Sequence, residues 1–462
     1  MAILIKNGTI INEGLSYLGS LLIKDKYIAK IIKGSLTEEA IKTVGEVSEI
    51  IEADGMFIMP GVIDDQVHFR EPGAEEKACI ESESKAAVLG GVTSFMDMPN
   101  NNPPATEIKM LEKKFKKASE VSYANYSFYL GATDTNIDEI KKVDRAKVCG
   151  VKVFMGSSTG NMLVQNPDSL KRIFAESPLL IATHCEEESI IRDNLRNSVQ
   201  KFGEKIPFSE HPLIRSREAC IKSSCKAMEL AVKYNSRLHI LHLSTAEEID
   251  NLKAVQQKNK RISGEVCVHY MWFSDKDYEK FGGFIKCNPA IKSELDKKAI
   301  IKGVKEGIVK VVATDHAPHL KEEKTKPYQQ CPSGMPEIRH SLQMMLELSS
   351  QGIFTKEEVV ARMCHGPAEC FGVEKRGFLR EGFYADIAIV NPNEKDSHST
   401  AHPPYKCGWS PLNGVTFCCS IVHTFVNGTQ VVKNGNLLSR PETMPLRFTN
   451  DTNAGEARKN KR

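Results

Sequence analysis

Hydrophobic positions along this chain fall into two textures. Up to about position 55, short β-branched runs alternate with turn residues, as in ILIKNGTIIN and LGSLLIKDKYIAKII, the pattern of strands joined by hairpins. The same texture returns near the other end in ADIAIVNPN and TFVNGTQVVKNGN. Neither stretch alone has enough strands to bury a face, so residues 1–55 and 378–440 are expected to build one composite β-sandwich domain. Residues 441–462 are polar and are expected to form a flexible tail.

Over residues 56–377 the texture changes to apolar strands separated by charged, helix-like segments. Eight candidate strands can be counted: FIMPGVIDDQVHF, GGVTSFMDMP, YANYSFYLGA, VCGVKVFMG, PLLIATHCE, SRLHILHLS, ISGEVCVHYM and IVKVVATDHAPH. Eight alternations of strand and helix predict an α/β fold of the (β/α)8 TIM-barrel type. A doubly wound open sheet competes with it, but that fold ordinarily carries a Gly-rich phosphate loop after its first strand. Neither GxGxxG nor GxxxxGKS occurs.

Composition narrows the classes. A chain of 462 residues with a formal charge of only +3, its lysines spread apart from the final EARKNKR, does not point to nucleic acid as a partner. The start MAILIKNGTI has no secretory pattern and no apolar run approaches the ~20 residues of a membrane span, so a soluble cytoplasmic protein is expected. Thirteen scattered cysteines without a CxxC pair read as free thiols in a reducing compartment.

A barrel collects chemistry at the C-terminal ends of its strands. Here those ends carry His68 and Arg70, Asp97 and Asn100, Lys152, His184, His242, His269, then Asp315, His316 and His319. His68, His184, His242 and Asp315 come from different strands and would converge on one axis as ligands suited to zinc, with manganese, iron or cobalt as alternatives. Each His taken singly could be no more than a hydrogen-bonded core group. Lys152 stands among apolar neighbours on its strand, where burial lowers a lysine's pKa and frees a neutral amine. Such an amine can take up carbon dioxide and become a carbamate able to bridge two metals; an ion pair with Asp97 is the simpler alternative.

Together, IDDQVHFREPG, GGVTSFMDMPN, GVKVFMG, ATHCEEE, LHILHLS, KCNPAIKSELDKKAI and VATDHAPH resemble the amidohydrolase superfamily, and within it the dihydroorotases. The resemblance implies cyclisation of carbamoyl-aspartate to dihydroorotate, a step of pyrimidine biosynthesis, and its reversal. It implies one or two zinc ions per chain. His68 matches a ligand of the more buried metal, Lys152 the carboxylated bridging lysine, and His184 and His242 the ligands of the more exposed metal. Asp315 matches a ligand that is also the catalytic acid and base. Arg70, Asn100 and His319 match the residues that hold the substrate carboxylate, and Asn288, Ser333 and Gly334 those that contact the ring. Hydantoinases and allantoinases share the fold but lack an arginine matching Arg70, whose structural alternative is a salt bridge to Glu71 or Asp64. Self-association as a dimer or tetramer is the expectation by analogy.

One position departs from the pattern. The family has HxH where this chain has Gln66, Val67 and His68, and residues two apart on a strand face the same way. Gln66 could ligate weakly, give way to water, or leave a single zinc in place. Lys292 also stands where relatives often carry arginine. An inactive dihydroorotase-like subunit supporting a partner enzyme, and a hydantoinase-like cyclic amidase, are the two other readings. His269 and Tyr270 are read as the end of the seventh strand, with His316 orienting its neighbours, and Cys149, Cys185, Cys267 and Cys287 as small apolar fillers.

Overall fold

The structure is a computed structural model and describes residues 2–449 except 38–40, 42–45, 157–161 and 165. Strands β1 (Ala2–Asn12), β2 (Leu15–Lys24), β3 (Tyr27–Lys33), β4 (Glu49–Glu52) and β5 (Phe57–Pro60) open the chain. Eight parallel strands follow: β6 (Val62–Val67), β7 (Val92–Asp97), β8 (Asn125–Gly131), β9 (Gly150–Phe154), β10 (Ile181–His184), β11 (Leu238–Ile240), β12 (Ile262–Cys267) and β13 (Val311–Ala313). Then come β14 (Ile387–Asn391), β15 (Ser420–Val426), β16 (Thr429–Lys433) and β17 (Asn436–Leu437).

β6 to β13 lie side by side in sequence order, and the ring closes where the His68 amide donates to the His316 carbonyl at 2.7 Å. Strands covered on both faces read as near-continuous apolar runs, and every residue of β6, β7, β8, β9 and β10 is buried, Asp64, Asp65 and Gln66 of β6 included. The intervening helices present apolar stripes inward; Ile108–Val121, for example, buries Met110, Leu111, Phe115 and Ala118.

The remaining nine strands form one mixed sheet in which β5 pairs with β1 and β14, so both ends of the chain share it. The stretch FIMPGVIDDQVHF is therefore not one strand. It changes sheets at Gly61, whose amide donates to Asp386 O at 2.8 Å, and where any Cβ would collide with Thr93. The seventh barrel strand also ends earlier than expected, at Cys267, and His269–Trp272 is a helical turn. Within the expected tail, residues 441–449 are laid against the barrel: Leu446 and Phe448 are buried, and Leu446 N donates to Tyr126 O at 2.8 Å. Residues 450–462, including EARKNKR, lie outside the described residues.

A buried polar knot ties sheet to barrel. Arg376 pairs with Asp386 and donates to Asn427 Oδ1 at 2.8 Å, while Asn427 Nδ2 donates to Asn125 Oδ1 on β8 at 2.8 Å. Removing one partner of a buried pair strands the other charge, at about 3–5 kcal/mol. Arg376→Met is expected to lower stability by that amount in chemical denaturation; a loss under about 1 kcal/mol, as for a surface pair, would contradict this role.

Candidate active site

At the C-terminal mouth of the barrel, Gln66, His68, Arg70, Asn100, Lys152, His184, His242, Asn288, Asp315, His319, Ser333 and Gly334 line one cavity of about 240 Å³, with Phe154 as an apolar wall. Every residue the sequence singled out for ligation or substrate binding is among them. A larger cavity of about 660 Å³, bordered by Met56, Arg339, Asp396 and His423, holds none of them. Size alone therefore does not locate the chemistry.

Three of these residues have a backbone that L-amino acids seldom adopt. Arg70, His242 and Asp315 have φ of 64°, 40° and 50°, in the left-handed region that costs of order 1 kcal/mol or more for such side chains. Each follows the end of its strand by two or three residues, since β6, β11 and β13 stop at Val67, Ile240 and Ala313. The kink turns a side chain that would have continued the strand's alternation into the mouth.

The nitrogens and oxygens converge in a consistent way. His68 Nδ1 donates to Asn100 Oδ1 at 2.7 Å, which turns Nε2 toward Asp315 Oδ1 at 3.0 Å. His184 Nε2 donates to Glu186 at 2.9 Å, which leaves Nδ1 facing His242 Nε2, also at 2.9 Å. His242 Nδ1 is buried with no hydrogen-bond partner among the described residues. Burial holds both His184 and His242 below the ordinary imidazole range, so both are neutral. Electron-rich atoms aimed at one another at 3 Å are the donor set a divalent cation fits. Gln66 Nε2 donates to Asp315 Oδ1 at 3.0 Å, and its Oε1 is buried without a partner, so its acceptor end is unused.

Lys152 is 1% exposed, and no ion pair or hydrogen bond to it is found among the described residues. Burial lowers its pKa to about 8, against the pull of Asp315 and Glu265. The alternative partner Asp97 is engaged elsewhere, 2.6 Å from Lys114 Nζ. For Asp315, burial favours the neutral acid, but the hydrogen bond and charge of His68 outweigh it and hold the carboxyl below the usual range.

The other wall is cationic. Arg70 Nε donates to Pro318 O at 3.1 Å and its Nη2 lies 3.1 Å from His319 Nε2. Neither Glu71 nor Asp64 pairs with it; Glu71 binds Lys117 and Asp64 accepts from Thr314. Burial and Arg70 hold His319 well below the ordinary imidazole range. Asn288 Oδ1 is buried without a partner among the described residues.

Several contributors escaped the sequence. Glu186, two residues after His184 in ATHCEEE, also pairs with Arg215, and His184 and Arg215 together with lesser charges overcome burial to hold its carboxyl down at about 2. Beneath the mouth, Asp65, His239 and Glu265 are fully buried with donor atoms within 4.8 Å of one another, a group that could hold a cation. Burial and Asp65 push the Glu265 carboxyl well above its usual range. His269 is bound to Glu337 at 2.8 Å, and His316 to Glu83 at 2.8 Å while accepting from the Glu337 amide, so both act on their neighbours. All thirteen cysteines are free, with Cys149, Cys185, Cys267 and Cys287 buried.

Comparison with known proteins agrees with the geometry. Residues 57–431 match the model of the amidohydrolase family. The chain belongs to this family. It is 31% identical to a dihydroorotase of Methanosarcina acetivorans over 79% of this chain and 80% of that protein. Against a dihydroorotase of Ruminiclostridium cellulolyticum the identity is 28%, over 95% and 100%. Among solved structures, an L-hydantoinase (dihydropyrimidinase) from Arthrobacter aurescens superposes with a TM-score of 0.90 at 24% identity, over 97% of this chain and 99% of that one, and so has the same amidohydrolase fold. No helix of the described residues is long and apolar enough to cross a membrane.

Gly156 follows β9 directly beneath the Glu186 turn, and a Cβ there would drive into the Glu186 carbonyl, with its carbon at 2.7 Å. Gly156→Ala is expected to cost about 1–3 kcal/mol of stability by overpacking. An unchanged melting temperature would show that the turn has room to move.

Proposed function

We propose that this chain is a dihydroorotase, closing N-carbamoyl-L-aspartate into (S)-dihydroorotate plus water and catalysing the reverse hydrolysis, the third step of de novo pyrimidine biosynthesis. The observation that carries the reading is the pairing of two features in one small cavity: a converging His and Asp donor set and, in the same lining, the Arg70 and His319 corner. A guanidinium offers a charged, two-pronged grip to a carboxylate, and both dihydroorotate and carbamoyl-aspartate carry one. Hydantoin does not.

In this reading His68, Lys152, His184, His242 and Asp315 hold zinc, one or two ions per chain, with Lys152 carboxylated. The amine of Lys152 adds to carbon dioxide, forming an N–C bond and releasing a proton, which replaces a buried ammonium that has no ion pair among the described residues by an anion among metal ligands. Bound zinc supplies an activated water near neutral pH and polarises the reacting carbonyl. Arg70, Asn100 and His319 hold the substrate carboxylate, and Asn288, Ser333 and Gly334 contact the ring. Asp315, ionised and buried, accepts the proton of the attacking water and returns it to the ring nitrogen as the C–N bond breaks. Cyclisation runs the same transfers backwards. Glu186 fixes the proton on His184 Nε2 and so keeps Nδ1 free for the metal.

The same reading assigns residues 56–377 to the metal-dependent barrel and 1–55 with 378–440 to the small domain. It places a homodimer or tetramer in the cytoplasm, with a small molecule rather than nucleic acid or membrane as the partner.

The direct test counts metals per chain on protein purified without chelator and assays both directions on that sample. Activity with one or two zinc ions supports the proposal. Metal without activity in either direction would favour an inactive subunit, and turnover of hydantoin in preference to dihydroorotate a hydantoinase. Arg70→Met is expected to raise KM for carbamoyl-aspartate roughly 10- to 100-fold, the loss of a charged hydrogen bond of about 1.5–3 kcal/mol, with little change in melting temperature. An unaltered KM would remove Arg70 from the carboxylate. Intact-mass measurement on gently prepared protein is expected to show a carbon dioxide adduct that Lys152→Met lacks; a fully metallated chain without the adduct would exclude the carbamate.

A further inference from the structure

Two lysines outside the ligand set are buried beside the pocket with no acidic partner among the described residues. Lys324, 1% exposed, ends the turn Lys321–Lys324. Its Nζ donates to three carbonyl oxygens that converge on it: Gly334 at 2.7 Å, Pro332 at 2.8 Å and Lys286 at 3.2 Å. Lys286, 7% exposed, donates to Cys331 O at 2.6 Å and Tyr328 O at 2.7 Å. Among the described residues no carboxylate pairs with either. Four carbonyl contacts therefore tie down the chain from Tyr328 to Gly334, part of which lines the cavity, and the fifth joins Lys324 to the Lys286 backbone.

That segment is gripped from the other side as well. His319 Nε2 donates to Ser333 O at 3.0 Å, and Gly334 N donates to Lys286 O at 2.8 Å. Gly334 has φ of 133°, and a Cβ there would meet Ala317 O at 2.5 Å. The segment thus lies pinned between His319 at the pocket and Lys324 behind it. Burial pushes the Lys324 ammonium down to about 7, a cost that a methionine of similar volume would avoid. Packing alone does not account for a lysine there; the three carbonyls do.

We propose that Lys324, supported by Lys286, is a positioning residue that presents Ser333 and Gly334 to the substrate and thereby sets affinity. The substrate part rests on the dihydroorotase reading; the ordering of the segment does not.

The test replaces Lys324 with alanine, which empties a channel the size of n-propylammonium. In Lys324→Ala the amides of residues 333–335 are expected to exchange with deuterium faster, and KM for carbamoyl-aspartate to rise about tenfold or more with kcat changing far less, the loss of a charged hydrogen bond. Added n-propylammonium, but not tetramethylammonium, is expected to restore both. Unchanged exchange, or a loss of kcat equal to the KM effect and insensitive to the amine, would overturn the proposal. Should Lys324→Ala not fold, Lys286→Met is expected to loosen residues 328–334 in the same exchange measurement, and unchanged exchange there would overturn it equally. If the unmodified chain turns over no carbamoyl-aspartate, the dihydroorotase reading fails, while exchange and amine rescue still decide the role of Lys324.

Discussion

A lysine buried in the wall of the barrel, with no ion pair to it among the described residues, is the constraint around which the site is organised. Lys152 could have been neutralised by Asp97, the nearest acidic candidate in sequence order at the strand ends, but Asp97 is held by Lys114. Asp315 pulls on it and is already shared between His68 and Gln66. Burial against apolar neighbours then lowers the lysine's pKa to about 8, which makes part of the amine neutral near physiological pH in a cavity it shares with His68, His184, His242 and Asp315. The histidines obey the same rule. On His184, Glu186 takes the Nε2 proton, so the Nδ1 lone pair faces His242 and the cavity.

Backbone geometry supplies the direction. In a parallel barrel the strands bring their C-terminal ends to one mouth, but alternation alone would aim only every second side chain inward. The left-handed residues at Arg70, His242 and Asp315 break that alternation where it matters. The register slip between Asp64 and Val67 does the same on β6, bringing Gln66 and His68 to the mouth above Asp65. Polar groups then fill a second layer, Asp65, His239 and Glu265, in a position where barrels are ordinarily packed with branched apolar residues. This interior is more polar than its fold requires, and the polarity is stacked beneath the chemistry.

Much of this was legible in the sequence because strands buried on both faces cannot hide. GVTSFMDMP and YANYSFYLGA read as strands since nothing else is so apolar and so short, and their polar ends stand out against that background. Arg70 and His319 were legible through their neighbours HFREPG and TDHAPH. What escaped depends on contacts between residues far apart in the chain. Gly61 gives no sign that one apolar run serves two sheets; the reason is Asp386, over three hundred residues away. Lys324 looks like one more surface lysine in KEEK until the fold brings Lys286 and Gly334 around it. The docking of Leu446 on β8 is equally invisible, because a short polar stretch with two apolar residues reads as a tail.

The most direct measurement is the position of dihydroorotate in a crystal of the metal-loaded chain. The account requires its carboxylate on Arg70, Asn100 and His319, with the amide carbonyl turned toward the cluster of His68, Lys152, His184, His242 and Asp315. A substrate lying the other way round, with its carboxylate on the metal cluster and its ring against Arg70, would contradict the assignment of the two walls.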